Sequence, residues 1–175
     1  KENETQWHRD WKNKFPREWQ EYVQHDATGE KHIADVRTAH GLVLEFQHSN
    51  IDSIERESRE RFHKNMWWIV DGTRLKRDYP RFQESYSGFM RTNRTDFFFV
   101  PSPEKSLPIS WLNSPVSVFI DFLGVVSTET QDQLRTVLWQ LLPGRKEGKA
   151  VIVAISRIRF VETVLNGPQL PPPIP

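Results

Sequence analysis

Asp35 and Glu45 are the residues of this chain whose types and spacing most readily do chemistry. Each lies in a run that alternates apolar and polar positions, Ile33-Ala34-Asp35-Val36 and Leu42-Val43-Leu44-Glu45-Phe46-Gln47-His48-Ser49, with Thr38-Ala39-His40-Gly41 between them. Such alternation marks half-buried strands and the intervening residues suit a turn, so the spacing predicts a β-hairpin. With the turn centred near His40, Asp35 falls directly opposite Glu45, where cross-strand Cβ atoms approach to about 4.5–5.5 Å. Ala34 and Val36 then share the other face with Leu44 and Phe46. Like charges set opposite one another cost stability, and a divalent cation held by both carboxylates removes that conflict.

The neighbouring elements must position this pair. Trp7, Trp11 and Phe15 recur at i, i+4, i+8, which predicts a helix from Glu4 to Phe15, ended by Pro16. Glu4, His8 and Lys12 form a second row one position round from the tryptophans, which on spacing alone reads as a solvated stripe beside a core face. Trp19 to Gln24 alternates again and enters the Asp35 strand through the turn residues Asp26-Ala27-Thr28-Gly29. After Ser49, Asp52-Ser53-Ile54-Glu55 resembles a capping box that opens a charged helix to about Lys64, with Ile54, Ser58 and Phe62 as its apolar stripe. Its arginines Arg56, Arg59 and Arg61 can pair with Glu55, Glu57 and Glu60 along the helix surface. Met66-Trp67-Trp68-Ile69-Val70 then suits a buried strand, and a helix between two strands is the crossover a parallel pair needs.

Beyond Asp71 the signals thin. Thr73 to Arg94 reads as a polar excursion with some helix near Tyr79 to Met90, followed by strands at Phe97–Val100 and Val116–Ile120 around a Pro-containing loop, Pro101 to Pro108. Gln131 to Leu142 fits a helix with Leu134, Leu138 and Leu141 inward, although Val137 and Trp139 also allow a strand. Ala150–Ile155 reads as a strand and Phe160–Leu165 as a closing helix. Five prolines in Gly167 to Pro175 exclude regular structure and suggest a linker or free end.

Composition narrows the function classes. At 175 residues with seven Trp and eleven Phe, the chain can bury a sizeable core, so one domain over 1–167 is expected, with a motif core at 4–72, an accessory part at 73–167 and the Pro-rich tail at 168–175. Lys and Arg total 24 against 23 Asp and Glu, a balance that announces no strongly basic nucleic-acid domain but leaves room for a local basic groove. The absence of cysteine rules out a disulfide scaffold or a cysteine zinc site within these residues. His32, His40, His48 and His63 lie on separate segments without HxxxH or HExxH spacing, so a histidine zinc site is not expected. The glycines never cluster into a phosphate-binding loop, and no nucleophile elbow is present. No apolar run approaches a membrane span and no signal segment is evident, so a cytoplasmic protein is expected. The first residue is Lys1 rather than Met, which suggests a processed chain or a piece of a longer protein.

Taken as an ensemble, these residues resemble a known family. Asp35 followed ten residues on by Glu45-Phe46-Gln47 resembles the core of the PD-(D/E)xK, or restriction-endonuclease-like, nucleases. More narrowly, Ala34-Asp35-Val36 with Leu44 to Ser49, then Ile51, Arg59 and Phe62, is similar to the competence protein CoiA-like nucleases, and Glu4, His8 and Lys12 match that family's positions on its opening helix. Weaker echoes continue through Trp111, Pro115-Val116, Asp121-Phe122 and Phe160.

The resemblance implies an α/β fold with a restriction-endonuclease-like mixed central sheet, built as helix, three-strand meander, helix and strand, flanked by helices and extended by additional C-terminal strands. It implies a metal-dependent deoxyribonuclease of DNA processing or defence against foreign DNA. Mg²⁺ or Mn²⁺ would be held by Asp35, Glu45, the Phe46 carbonyl and Glu4. Gln47 stands where the superfamily usually carries Lys, and an amide can orient water but cannot supply charge or take a proton. Lys12 is the candidate for the missing charge, His8 for a phosphate contact or proton shuttle, and Arg59, Arg56 and Lys12 for nucleic-acid contacts. DNA is the expected partner, with RNA left open, as are self-association, a larger complex and further domains outside this chain. The alternative is a catalytically weak or inactive nucleic-acid-binding or scaffold module of the same fold.

Overall fold

The computed structural model describes residues 4–125 and 130–167; the expected Pro-rich tail, 168–175, lies outside them. Helix α1, Gln6–Lys12, starts at Thr5, whose hydroxyl accepts the His8 N–H, and its last turn tightens into i→i+3 bonds from Lys14 and Phe15. The helix is therefore shorter than the aromatic spacing predicts, yet Trp7, Trp11 and Phe15 are all buried as expected. Three antiparallel strands follow: β1 (Gln20–His25), β2 (Lys31–Arg37) and β3 (Val43–Gln47). The β2–β3 turn closes with the Gly41 N–H on the Thr38 carbonyl, and Gly41 takes a φ of +86°, a left-handed conformation that favours glycine.

Helix α2 (Ser53–His63) carries the chain across to β4 (Met66–Asp71), parallel to β3. Asp52 caps α2 through the Ile54 and Glu55 N–H groups. The expected reciprocal bond from Glu55 is not made, because its carboxylate pairs with Arg59 one turn on. Ile54 is exposed, so the predicted apolar stripe is not what seats α2. Glu60 is buried instead, accepting from the Trp68 indole and the Ser114 hydroxyl.

The second half adds α3 (Asp78–Ser85), β5 (Met90–Arg91), β6 (Phe97–Val100), the short α4 (Pro103–Ser106), β7 (Val118–Asp121), α5 (Gln133–Thr136), β8 (Val137–Leu141), β9 (Ala150–Ser156) and α6 (Arg157–Asn166). The stretch that allowed either helix or strand becomes one turn of helix and then β8, whose residues Leu138 to Leu141 are buried on both faces between β7 and β9. Continuous burial of that kind favours the strand reading, because a surface helix keeps one face in water.

The product is an open, mixed nine-stranded sheet ordered β1-β2-β3-β4-β7-β8-β9-β6-β5, an α/β arrangement. Strand alternation splits its core in two. Val43, Met66, Trp68, Val70 and Phe82 pack on the face that carries α2 and α3, while Trp7, Trp11, Leu44, Phe46, Ile69 and Phe160 pack under α1 and α6. Ala34 joins the first group and Val36 the second, against the expectation that they share a face. The residue between them is kinked out of the β1–β2 ladder, which pairs Gln20 with Val36 and Tyr22 with Ala34 but skips Glu21 and Asp35. Among the described residues no helix is long and apolar enough to cross a membrane.

Candidate metal centre

The hairpin register pairs Val36 with Leu44 and Arg37 with Val43, and continuing it sets Asp35 across from Glu45, as the alternation predicts. At that point the ladder opens. The Phe46 N–H, which would continue the backbone ladder, instead donates to Asp35 Oδ2 at 2.8 Å. A residue's own N–H and C=O face the same neighbouring strand, so the Phe46 carbonyl also faces the β2 side of this gap. Continuing the β1–β2 register adds Glu21 to the same row, making three acidic residues on three successive strands. Glu21 adopts a φ of +51°, an uncommon conformation for a side chain other than glycine or asparagine.

Helix α1 binds this row from one side. His8 Nε2 lies 3.0 Å from Asp35 Oδ2 and its Nδ1 lies 2.7 Å from Glu4 Oε1. Lys12, almost entirely buried, pairs with both Glu4 and Glu21. Burial works against the His8 charge, but Asp35 and Glu4 outweigh it and raise its pKa. Burial likewise pushes the Glu4 carboxyl up, and Lys12 and His8 overcome it to hold the group below its ordinary value. Lys12 is raised, because Glu21 and Glu4 together outweigh its own desolvation. The Glu4, His8, Lys12 row is therefore a charged strut against the acidic row rather than a solvated stripe.

Helix α2 closes on Glu45 from the other side. Glu45 is 2% exposed. Its Oε2 receives Arg59 Nη1 at 3.2 Å, and the guanidinium is held in turn by Glu55 at 2.7 Å. Glu45 Oε1 has no hydrogen-bond partner although it is buried. Burial first, and the neighbouring Asp35 carboxylate second, push the Glu45 pKa well above the ordinary carboxylate range, with Arg59 pulling the other way. Beside Arg59, an open groove of about 570 Å³ runs between His32 and the first turns of α2, at Asp52, Glu55 and Ser58.

Other predicted residues fall into place differently. The Gln47 amide donates to the carbonyl and the hydroxyl of Ser49, at 3.1 and 3.0 Å, so both of its N–H bonds are used locally. Arg56, expected to contact nucleic acid, bonds the Ser110 carbonyl and lies over the Trp111 ring. Lys12 is buried against carboxylates, while Arg59, also paired with carboxylates, keeps part of its side chain exposed and lines the open groove. Among the described residues no group of three or more His, Asp or Glu side chains is placed to hold a metal ion. The donor set nevertheless suits a hard cation: two adjacent carboxylates, one with an unpartnered buried oxygen, and a backbone carbonyl facing the gap.

Sequence reasoning missed Glu21 and His63. Glu21 lies in an alternating strand, and only its register against Asp35 brings it into the row. His63 Nε2 lies 3.4 Å from Glu45 Oε1, and its ring centroid lies 5.9 Å from that of His32, so two histidines without any motif spacing converge beside the acidic pair. Their separation by a turn, two strands and a helix leaves no local signal. Comparison with protein-family models, curated proteins and solved structures finds no match to this chain.

Proposed function

We propose that this protein is a divalent-metal-dependent nuclease that hydrolyses phosphodiester bonds in DNA, with a restriction-endonuclease-like core formed by α1, β1 to β4 and α2. The observation that carries the reading is the convergence of Asp35 and Glu45 where the β2–β3 ladder opens, with a buried Glu45 oxygen left unpartnered.

Asp35, Glu45 and the Phe46 carbonyl would hold the cation, which when bound polarises the scissile phosphate and lowers the pKa of an attacking water. The chain's own residues prepare that site. The Phe46 N–H and the His8 imidazole both donate to Asp35 Oδ2, which orients the carboxylate and leaves Oδ1 for a ligand. Glu4 fixes the His8 ring through Nδ1, so His8 acts here as a charged positioning group. Lys12 neutralises Glu4 and Glu21. With its N–H groups committed to Ser49, Gln47 retains its carbonyl oxygen as an acceptor for a water hydrogen. Arg59 is the cation paired with Glu45 and supplies the positive charge that the Gln47 amide lacks.

Incubation of supercoiled plasmid, single-stranded DNA and single-stranded RNA with Mg²⁺ or Mn²⁺ tests the reading. Wild type is expected to cleave DNA, and Asp35→Asn and Glu45→Gln are each expected to lose about a thousandfold in rate. Equal cleavage by all three proteins overturns the assignment. The Arg59 pairing and the occupied Gln47 amide favour a second reading, a nucleic-acid-binding module of the same fold without turnover. A DNA mobility shift without cleavage under any divalent ion selects it.

A further inference from the structure

Resting on the nucleic-acid reading above, we infer that the cavity between β4, α3 and residues 108–111 holds a backbone phosphate of the bound strand, at a second site beside the acidic pair. The chain leaves β4 through Asp71-Gly72-Thr73 and then carries four cations within 74–81, namely Arg74, Lys76, Arg77 and Arg81. Three of them, Arg74, Arg77 and Arg81, line one cavity of about 80 Å³, walled elsewhere by Val70, Ser110 and Trp111. A guanidinium stays charged at any ordinary pH and presents planar N–H forks that match phosphate oxygens. Three of them around a space this small favour a compact oxyanion.

The positive charge there is not matched from within. Asp71 and Asp78 also line the cavity, against the three guanidiniums. Asp71 is already committed: its Oδ1 accepts the Thr73 N–H and hydroxyl, and its Oδ2 lies 2.7 Å from His48 Nδ1. Asp78 pairs with Arg81, 3.0 Å from Nη2, while Arg81 Nε is buried with no acceptor. Arg74 and Arg77 are exposed, and among the described residues neither side chain has a hydrogen-bond or ion-pair partner. Two guanidiniums therefore remain for a ligand. Position argues for a strand's backbone rather than a free anion. Val70 is in register with Gln47, two residues beyond Glu45 on the neighbouring β3, and all three side chains project to the face that carries α2 and α3. At about 3.3 Å per residue and about 4.8 Å between strands, Val70 lies roughly 8 Å from Glu45, or two to three nucleotide steps of about 3.4 Å each. One nucleic-acid strand of that length spans the acidic pair and the arginines together.

The test is fluorescence anisotropy of a short, labelled single strand of DNA with the full chain, in EDTA to prevent cleavage and across a salt series. Arg74→Ala and Arg77→Ala are each expected to weaken binding about threefold to tenfold. Together they should lower the slope of log affinity against log salt by about 0.7, the signature of one lost phosphate contact. Arg159→Ala removes an exposed cation from α6, on the opposite face of the sheet, and is expected to change neither quantity. Because both cavity residues are exposed, Tm should stay at its wild-type value, so weaker binding reports a lost contact. Strands with and without a 5′-phosphate are expected to bind equally; a preference for the phosphorylated end that the two variants lose overturns the backbone assignment. Wild-type affinity and slope in both variants overturn the inference, and the nuclease reading stands if those variants still cleave. If binding depends on the arginines but no divalent ion supports cleavage, the phosphate site stands and the nuclease reading fails. If wild type binds no strand, both fail.

Discussion

Asp121 and Glu45 are both buried carboxylates on strands of the sheet, and the structure treats them in opposite ways. Asp121, wholly enclosed at the end of β7, accepts from Arg157 through both of its oxygens, from the indole N–H groups of Trp7 and Trp11, and from the backbone N–H groups of Leu123 and Gly124. Burial raises its pKa, but Arg157 and the indoles outweigh that effect and hold it below its ordinary value. Glu45 has one guanidinium on one oxygen, no hydrogen bond on the other, and a strongly raised pKa. Asp121 is saturated with donors, and each lone pair met in a dry interior spares free energy. An unmet oxygen alone does not set Glu45 apart, since Glu60 Oε2 is buried without a hydrogen bond too; what distinguishes Glu45 is the second carboxylate, Asp35, beside it.

The contrast can be broken in stability measurements. Asp121→Ala strands the Arg157 charge and two indole N–H groups together, and urea unfolding should record a loss of roughly 3–5 kcal/mol. A loss below about 1 kcal/mol would mean that the Asp121 cluster is not the anchor described here.

Acid unfolding sharpens it from the other side. The folded-state pKa of His63 is depressed from 6.5 to about 4, so in that window the unfolded chain binds a proton that the folded chain refuses. Its contribution to stability is present above about pH 6.5 and is lost as pH falls through about 4, on the order of 3 kcal/mol in all. Glu45 opposes this, because its pKa is raised: its contribution is present below its ordinary value and is lost as pH rises through its folded value. The difference between wild type and His63→Leu isolates the histidine, and the variant should lose less stability on acidification. Parallel pH profiles for the two proteins would contradict the assignment.

The smallest expected effect is the most telling. Glu45→Gln removes a charge that burial disfavours while Arg59 keeps Glu55, so unfolding free energy at neutral pH should change by no more than about 1 kcal/mol, in either direction. A loss as large as that of Asp121→Ala would make Glu45 a structural group and erase the distinction between the two carboxylates.

Much of the frame was legible because its causes are local. Alternation along Ile33–Val36 and Leu42–Gln47, joined by a turn that Gly41 can close, carries the register that sets Asp35 against Glu45. Asp52 announces the start of α2, and the Trp7–Trp11 spacing identifies a buried helix face. Failures arise where two local readings compete or where a partner is distant. Val137–Leu141 became a strand because β7 and β9 enclose it, and Ile54 stayed exposed because Glu60, bonded to Trp68 and Ser114, is what α2 buries.

Strand periodicity and turn chemistry act over a few residues, so the amino-acid order by itself determined the hairpin, its acidic pair and the helices on either side. Only the folded chain decided that Glu21 joins the acidic row, that Lys12 and Arg59 serve carboxylates, and that His63 comes to lie beside Glu45. Those outcomes depend on which charges share a dry space after separate segments close on one another, and burial and pairing are properties of that shared space.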